Sequence, residues 1–143
     1  KPYKVGYIAG VFDLFHIGHL NMFKRAKEQC RYLIVGVVSD EGVRLNKQAE
    51  PFVPFDERIE MVRSCKYVDE AIKLPLDFCG TRDMFKIYHF DVQFSGSDYE
   101  HDPAWLAEKE FLEKNGSTMV FFPYTQSTSS TKLKRAIENR INN

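Results

Sequence analysis

A chain of 143 residues is the size of one domain with a substantial core, so residues 1–143 are read as a single unit. Lys and Arg (20) balance Asp and Glu (20), which removes any global pull toward nucleic acid or an anionic membrane and leaves anion binding to local sites. Three cysteines without C-x-x-C spacing exclude a disulfide framework and a zinc knuckle, and no apolar run approaches bilayer length, so neither nucleic acid nor membrane is an expected partner and the cytoplasm is the expected compartment.

The chain opens with an apolar strand, Lys4 to Ala9, followed by Gly10-Val11-Phe12-Asp13-Leu14-Phe15-His16-Ile17-Gly18-His19. An amphipathic run from Leu20 to Cys30, with Leu20, Phe23, Ala26 and Cys30 on one stripe, predicts a helix after that turn. A glycine-bearing turn entering a helix is an anion site, because the first N–H groups of a helix lack partners and carry partial positive charge. His16 and His19 would add side-chain donors there, and Gly18 removes a Cβ from the approach. The competing reading is a tight turn with two solvated histidines.

Tyr32 to Val38 predicts a second buried strand. Residues 42–54 are polar and aperiodic and are read as a long loop carrying Lys47, whose ammonium can close over a phosphate, the competing reading being one solvated surface lysine among many. Phe55 to Cys65 predicts a helix with Phe55, Ile59 and Val62 buried and Arg58 on its first turn. Lys66 to Ile72 predicts a short third strand, and Thr81 to Tyr88 a short helix. Asp91 to Ser95 is read as a fourth strand ending in Gly96-Ser97-Asp98-Tyr99. Asp102-Pro103 starts and Asn115-Gly116 stops another helix, which holds Trp105, read chiefly as packing. After a fifth strand, Thr118 to Phe122, the stretch Tyr124-Thr125-Gln126-Ser127-Thr128-Ser129-Ser130-Thr131 supplies more hydroxyls than a helix cap needs and is read as a second phosphate cradle before a last helix striped by Leu133, Ile137 and Ile141. Strands alternating with helices predict a doubly wound, Rossmann-like domain. Its five parallel strands are expected in the order 3-2-1-4-5, with ligands outside the strand carboxyl ends where the order reverses.

The decapeptide from Gly10 to His19 resembles the G-x-F-D-x-x-H-x-G-H signature of the cytidylyltransferase-like nucleotidyltransferases, and the likeness runs from Val5 to about Ile137. Glycerol-phosphate members resemble the chain in its compact length and in Asp98 to Lys134; choline- and ethanolamine-phosphate members resemble it in G-V-F-D-L-F-H and in the E-R-x-E-M-V-R-x-C-K-Y-V-D-E segment. The resemblance implies transfer of CMP from CTP to an alcohol phosphate, glycerol 3-phosphate first and choline or ethanolamine phosphate next, with Mg²⁺ accompanying the triphosphate and a homodimer as the assembly. It implies catalytic roles for His16, His19, Lys47, Ser129 and Ser130. Nucleotide contacts are implied for Gly10, Val11, Phe12, Asp13, Gly18, Lys66, Gly96, Ser97, Asp98, Tyr124, Thr125, Gln126 and Thr131, and acceptor contacts for Lys47 and Arg58. No resident metal site is expected. A choline acceptor would want an aromatic cage, for which Phe78, Tyr88, Tyr99 and Trp105 are candidates. Tyr124 stands where the family has Arg, and Lys66 keeps the charge but not the fork of the Arg found in glycerol-phosphate members. An ATP-dependent transferase of the same fold and a weakened nucleotide-binding protein are the alternatives.

Overall fold

A computed structural model describes residues 1–74, 76, 80–123 and 130–142, the side chain of Ser130 excepted. Strands β1 (Tyr3–Gly10), β2 (Cys30–Val37), β3 (Glu70–Lys73), β4 (Val92–Gly96) and β5 (Thr118–Phe122) form one sheet in the order β3-β2-β1-β4-β5. Every pairing is parallel: Gly10 lies opposite Val37, Tyr7 opposite Gln93 and Gly96 opposite Phe122. The helices are α1 (Ile17–Gln29), α2 (Asp40–Lys47), α3 (Phe55–Arg63), α4 (Thr81–Tyr88), α5 (Pro103–Lys114) and α6 (Ser130–Asn142). The predicted topology is the observed one.

Two apolar layers cover the sheet, as a parallel sheet buried on both faces requires. On one face Phe23 and Ala26 of α1 and Ile59 and Val62 of α3 pack with Ile8, Leu33, Val92 and Phe94. On the other, Val43 of α2, Met84 of α4 and Leu112 of α5 pack with Tyr7, Ile34 and Met119. Cys30 is buried and Cys65 partly so, and burial pushes both thiols up; Cys79 lies outside the described residues. Among the described residues no helix is long and apolar enough to cross a membrane.

One expected loop is a helix. Residues Asp40 to Lys47 form α2, because the Ser39 hydroxyl accepts from Gly42 N–H at 3.0 Å and Asp40 and Glu41 sit where the helix dipole favours acids. The link that remains, residues 48–54, is correspondingly short. Strand β3 also begins later than expected, leaving Lys66 in the turn that precedes it.

Candidate active site

The order reversal between β1 and β4 puts the end of β1 and the end of β4 on either side of a crevice at the carboxyl rim of the sheet. Residues 10–19 leave β1 there. The turn is strained: Phe12 and Leu14 have φ of 57° and 49°, in the left-handed region that side chains rarely adopt. A Cβ on Gly10 would lie 2.8 Å from the Phe12 ring, so the glycine is what lets that ring fold under the turn. There Phe12 is buried and meets His19 and Phe23 edge-on.

His16 and His19 cap α1 reciprocally. Gly18 N–H donates to His16 Nδ1 at 3.0 Å, and His16 N–H donates to His19 Nδ1 at 3.2 Å, the two-way exchange of a capping box with imidazoles in both roles. The rings stack with centroids 3.9 Å apart. Since each Nδ1 is an acceptor, each ring carries its proton on Nε2, and each therefore has an Nε2–H to give. Burial lowers the pKa of His16. Burial, then the neighbouring His16, bring that of His19 down to about 3 against the opposing pull of Asp13. At neutral pH the pair is uncharged and donates as neutral N–H groups.

Asp13 was expected to touch nucleotide, but its carboxylate serves the protein. It is 3 % exposed and accepts Phe52 N–H at 2.9 Å and Val53 N–H at 3.0 Å, and Lys134 of α6 pairs with it at 3.1 Å. Burial would raise its pKa; the two backbone donors and Lys134 hold it below the ordinary value. Lys134, which the motifs do not contain, thus ties the first part of α6 to the histidine turn. Ser130 and Thr131 stand about one helical turn, ~4.5–6 Å, nearer the start of the helix. Lys47 is an exposed residue at the end of α2, yet its ammonium lies close enough to protein atoms and to Lys134 for its pKa to fall, with Asp13 opposing.

Arg58 is not placed to hold an acceptor. It is 1 % exposed, and its guanidinium donates to Val53 O, Val11 O, Val38 O and Asp40 Oδ1 at 2.7–2.8 Å. Those bonds pin the ends of β1 and β2 to the start of α3. Val11 and Gly10 likewise act through their carbonyls, the latter accepting Val38 N–H at 3.0 Å. Lys66 lies at the amino rim of the sheet, before β3 and opposite the histidine turn, with its ammonium 5.2 Å over the Tyr67 ring; it does not join the site.

Gly96, Ser97 and Asp98 end β4 on the correct rim, and the space where a Gly96 Cβ would project is open. Trp105 stacks on Tyr99 at 4.5 Å and leans on the second core. Of the aromatic candidates Tyr88 is drawn away, its hydroxyl donating to Glu70 at the amino end of β3. Phe78, Tyr124, Thr125, Gln126 and Ser129 lie outside the described residues. A cavity of about 780 Å³ sits by the edge strand β3, lined by residues such as Asp40, Asp56, Lys73, Leu74 and Met84, and none of the expected site residues lines it.

A family model described as Cytidylyltransferase-like matches residues 7–136. The chain is 36% identical over 139 residues to an FAD synthase of Thermococcus kodakarensis, covering 94% of this chain and 89% of that one. It is 32% identical over 128 residues to a glycerol-3-phosphate cytidylyltransferase of Bacillus subtilis, covering 90% and 92%. Among solved structures, the lipopolysaccharide core biosynthesis protein of Thermoplasma volcanium superposes with a TM-score of 0.70 at 25% identity, covering 88% of this chain and 99% of that one.

Proposed function

Because the chain belongs to the cytidylyltransferase-like family, we propose that it transfers CMP from CTP to a small alcohol phosphate with release of pyrophosphate, glycerol 3-phosphate being the first acceptor and choline or ethanolamine phosphate the next. An acceptor phosphate oxygen attacks the α-phosphorus in line, the bond to the bridging oxygen breaks, and pyrophosphate leaves. A phosphate is already a competent nucleophile, so catalysis is positioning and charge stabilisation.

The observation that carries the proposal is the reciprocal cap. It fixes both imidazoles as Nε2–H donors at a helix N-terminus, beside the crevice where the sheet order reverses. Donors already oriented toward developing phosphoryl charge act without reorganisation, and removing one costs ~10²–10³ in rate. His16 and His19 bind the α-phosphoryl oxygens. Ser129, Ser130 and Thr131 hold the β- and γ-phosphates, and Gly96 to Asp98 with Tyr124 to Gln126 border the nucleoside. Lys47 binds the acceptor. Arg58 and Asp13 position the loops that carry these groups, as their internal bonds support. Mg²⁺ enters with the nucleoside triphosphate, whose phosphate oxygens are the hard ligands it prefers.

The similarity to FAD synthase favours a second reading, adenylyl transfer from ATP on the same fold. The test is pyrophosphate release from each nucleoside triphosphate against a panel of alcohol phosphates and flavin mononucleotide. Release with CTP and an alcohol phosphate supports the proposal, and release with ATP only replaces it. Nucleotide binding without release contradicts both.

A further inference from the structure

Lys134 is the fifth residue of α6, just past the first turn of the helix. Its ammonium is 3.1 Å from Asp13 Oδ2 and 5.5 Å over the Phe52 ring, and its side chain keeps 34% of its surface exposed. One carboxylate therefore serves this lysine and also caps the Phe52 and Val53 N–H groups. Lys47 stands near enough for the two ammoniums to repel and for Asp13 to attract both. Both cations thus act on the Asp13 carboxylate, three residues from His16. A phosphomonoester, with a charge of about −1.5 to −2, is the anion that balances such a pair.

We propose that Lys134, acting with Lys47, binds the phosphate of the acceptor and so helps to set acceptor affinity. The inference rests on the nucleotidyl-transfer reading and deepens it. Asp13 ties Lys134 to the link between α2 and α3, on the β2 side of β1, whereas the nucleotide belongs to the crevice on the β4 side. An ammonium has three donors, so the bond to Asp13 leaves others to direct at a ligand. The Phe52 ring beneath it limits where they point.

In steady-state assays with the complete chain, Lys134→Ala raises the KM for the acceptor about tenfold, the loss of one charge-assisted contact, leaves the KM for CTP unchanged, and is largely rescued by Lys134→Arg. An acceptor KM within about twofold of wild type overturns the inference, as does a rise confined to the KM for CTP, which would assign Lys134 to the nucleotide phosphates. A second measurement does not depend on turnover. Inorganic phosphate titrated into ¹³C-lysine-labelled protein shifts the Lys134 and Lys47 side-chain resonances together, and in Lys47→Ala the Lys134 shift weakens. Resonances that stay put overturn the lysine pair whatever the activity. Resonances that move in a protein that transfers no nucleotide keep the pair and refute the transfer reading.

Discussion

Replacing Arg58 by Ala separates a positioning role from substrate contact. The guanidinium is 1 % exposed and makes four N–H···O bonds, three to carbonyls from separate segments and one to Asp40. Removing it strands the Val11 and Val38 carbonyls in a place that water reaches poorly and deprives Asp40 of its cation, although that carboxylate, 32% exposed, can hydrate in part. Breaking one partner of a buried pair costs ~3–5 kcal/mol. That is a large share of the ~5–15 kcal/mol available to a domain, and a fall in Tm of about 10–20 °C follows for a chain of this size. Urea unfolding monitored by circular dichroism measures it. Arg58→Lys, which keeps the charge and loses the fork, falls between. The pairing with Asp40 appears as a coupling of ~0.5–3 kcal/mol in a double-mutant cycle. A loss below ~1 kcal/mol together with a raised acceptor KM would refute the reasoning and return Arg58 to the substrate.

Gln93 is 1% exposed and neither amide atom has a hydrogen-bond partner among the described residues, so Gln93→Met is expected to raise stability by ~1–3 kcal/mol in the same unfolding assay, and a loss would reveal a buried partner. Gly10→Ala drives a Cβ into the Phe12 ring, and ~1–3 kcal/mol of destabilisation with slowed turnover is expected in unfolding and pyrophosphate assays. His19 titrates at about 3 when folded and near 6.5 when unfolded, so the unfolded chain binds the proton first and stability, full above pH 6.5, declines as pH falls toward 3. Asp13 and Asp40, both held below 3.8, add a further loss below that pH. Chemical denaturation across pH 3–8 checks both, and His19→Phe should flatten the upper part of the slope.

The topology was legible because each strand is a short apolar run and each crossover carries helical spacing, and because caps such as Asp102-Pro103 mark their helices without tertiary help. Helix α2 escaped although Ser39-Asp40-Glu41 is a start signal, since eight residues whose only large apolar members, Val43 and Leu45, stand two apart do not show a helical stripe. The burial of Arg58 had a signal too. Residues 55, 58, 59 and 62 follow the i, i+3, i+4, i+7 spacing of one helix face, so the arginine sits on the stripe that Phe55, Ile59 and Val62 bury. Its charge disguised it, because the carbonyls that satisfy it come from segments brought near only by folding. Lys134 was invisible for the same reason: its partner Asp13 is 121 positions away. His16 and His19 were found by motif, and their i, i+3 spacing ahead of an apolar run already matched a capping box.

The central claim is that two neutral, reciprocally capped imidazoles present Nε2–H groups to nucleotide phosphates. Long-range ¹H–¹⁵N NMR of His16 and His19, recorded with and without a non-hydrolysable CTP analogue, tests it directly. Both rings should be Nε2–H tautomers between pH 7 and 8, and on binding both Nε2 resonances should move while Nδ1 keeps its acceptor signature. A protonated or Nδ1–H ring in the free protein, or Nε2 resonances indifferent to the analogue at saturation, would contradict the account.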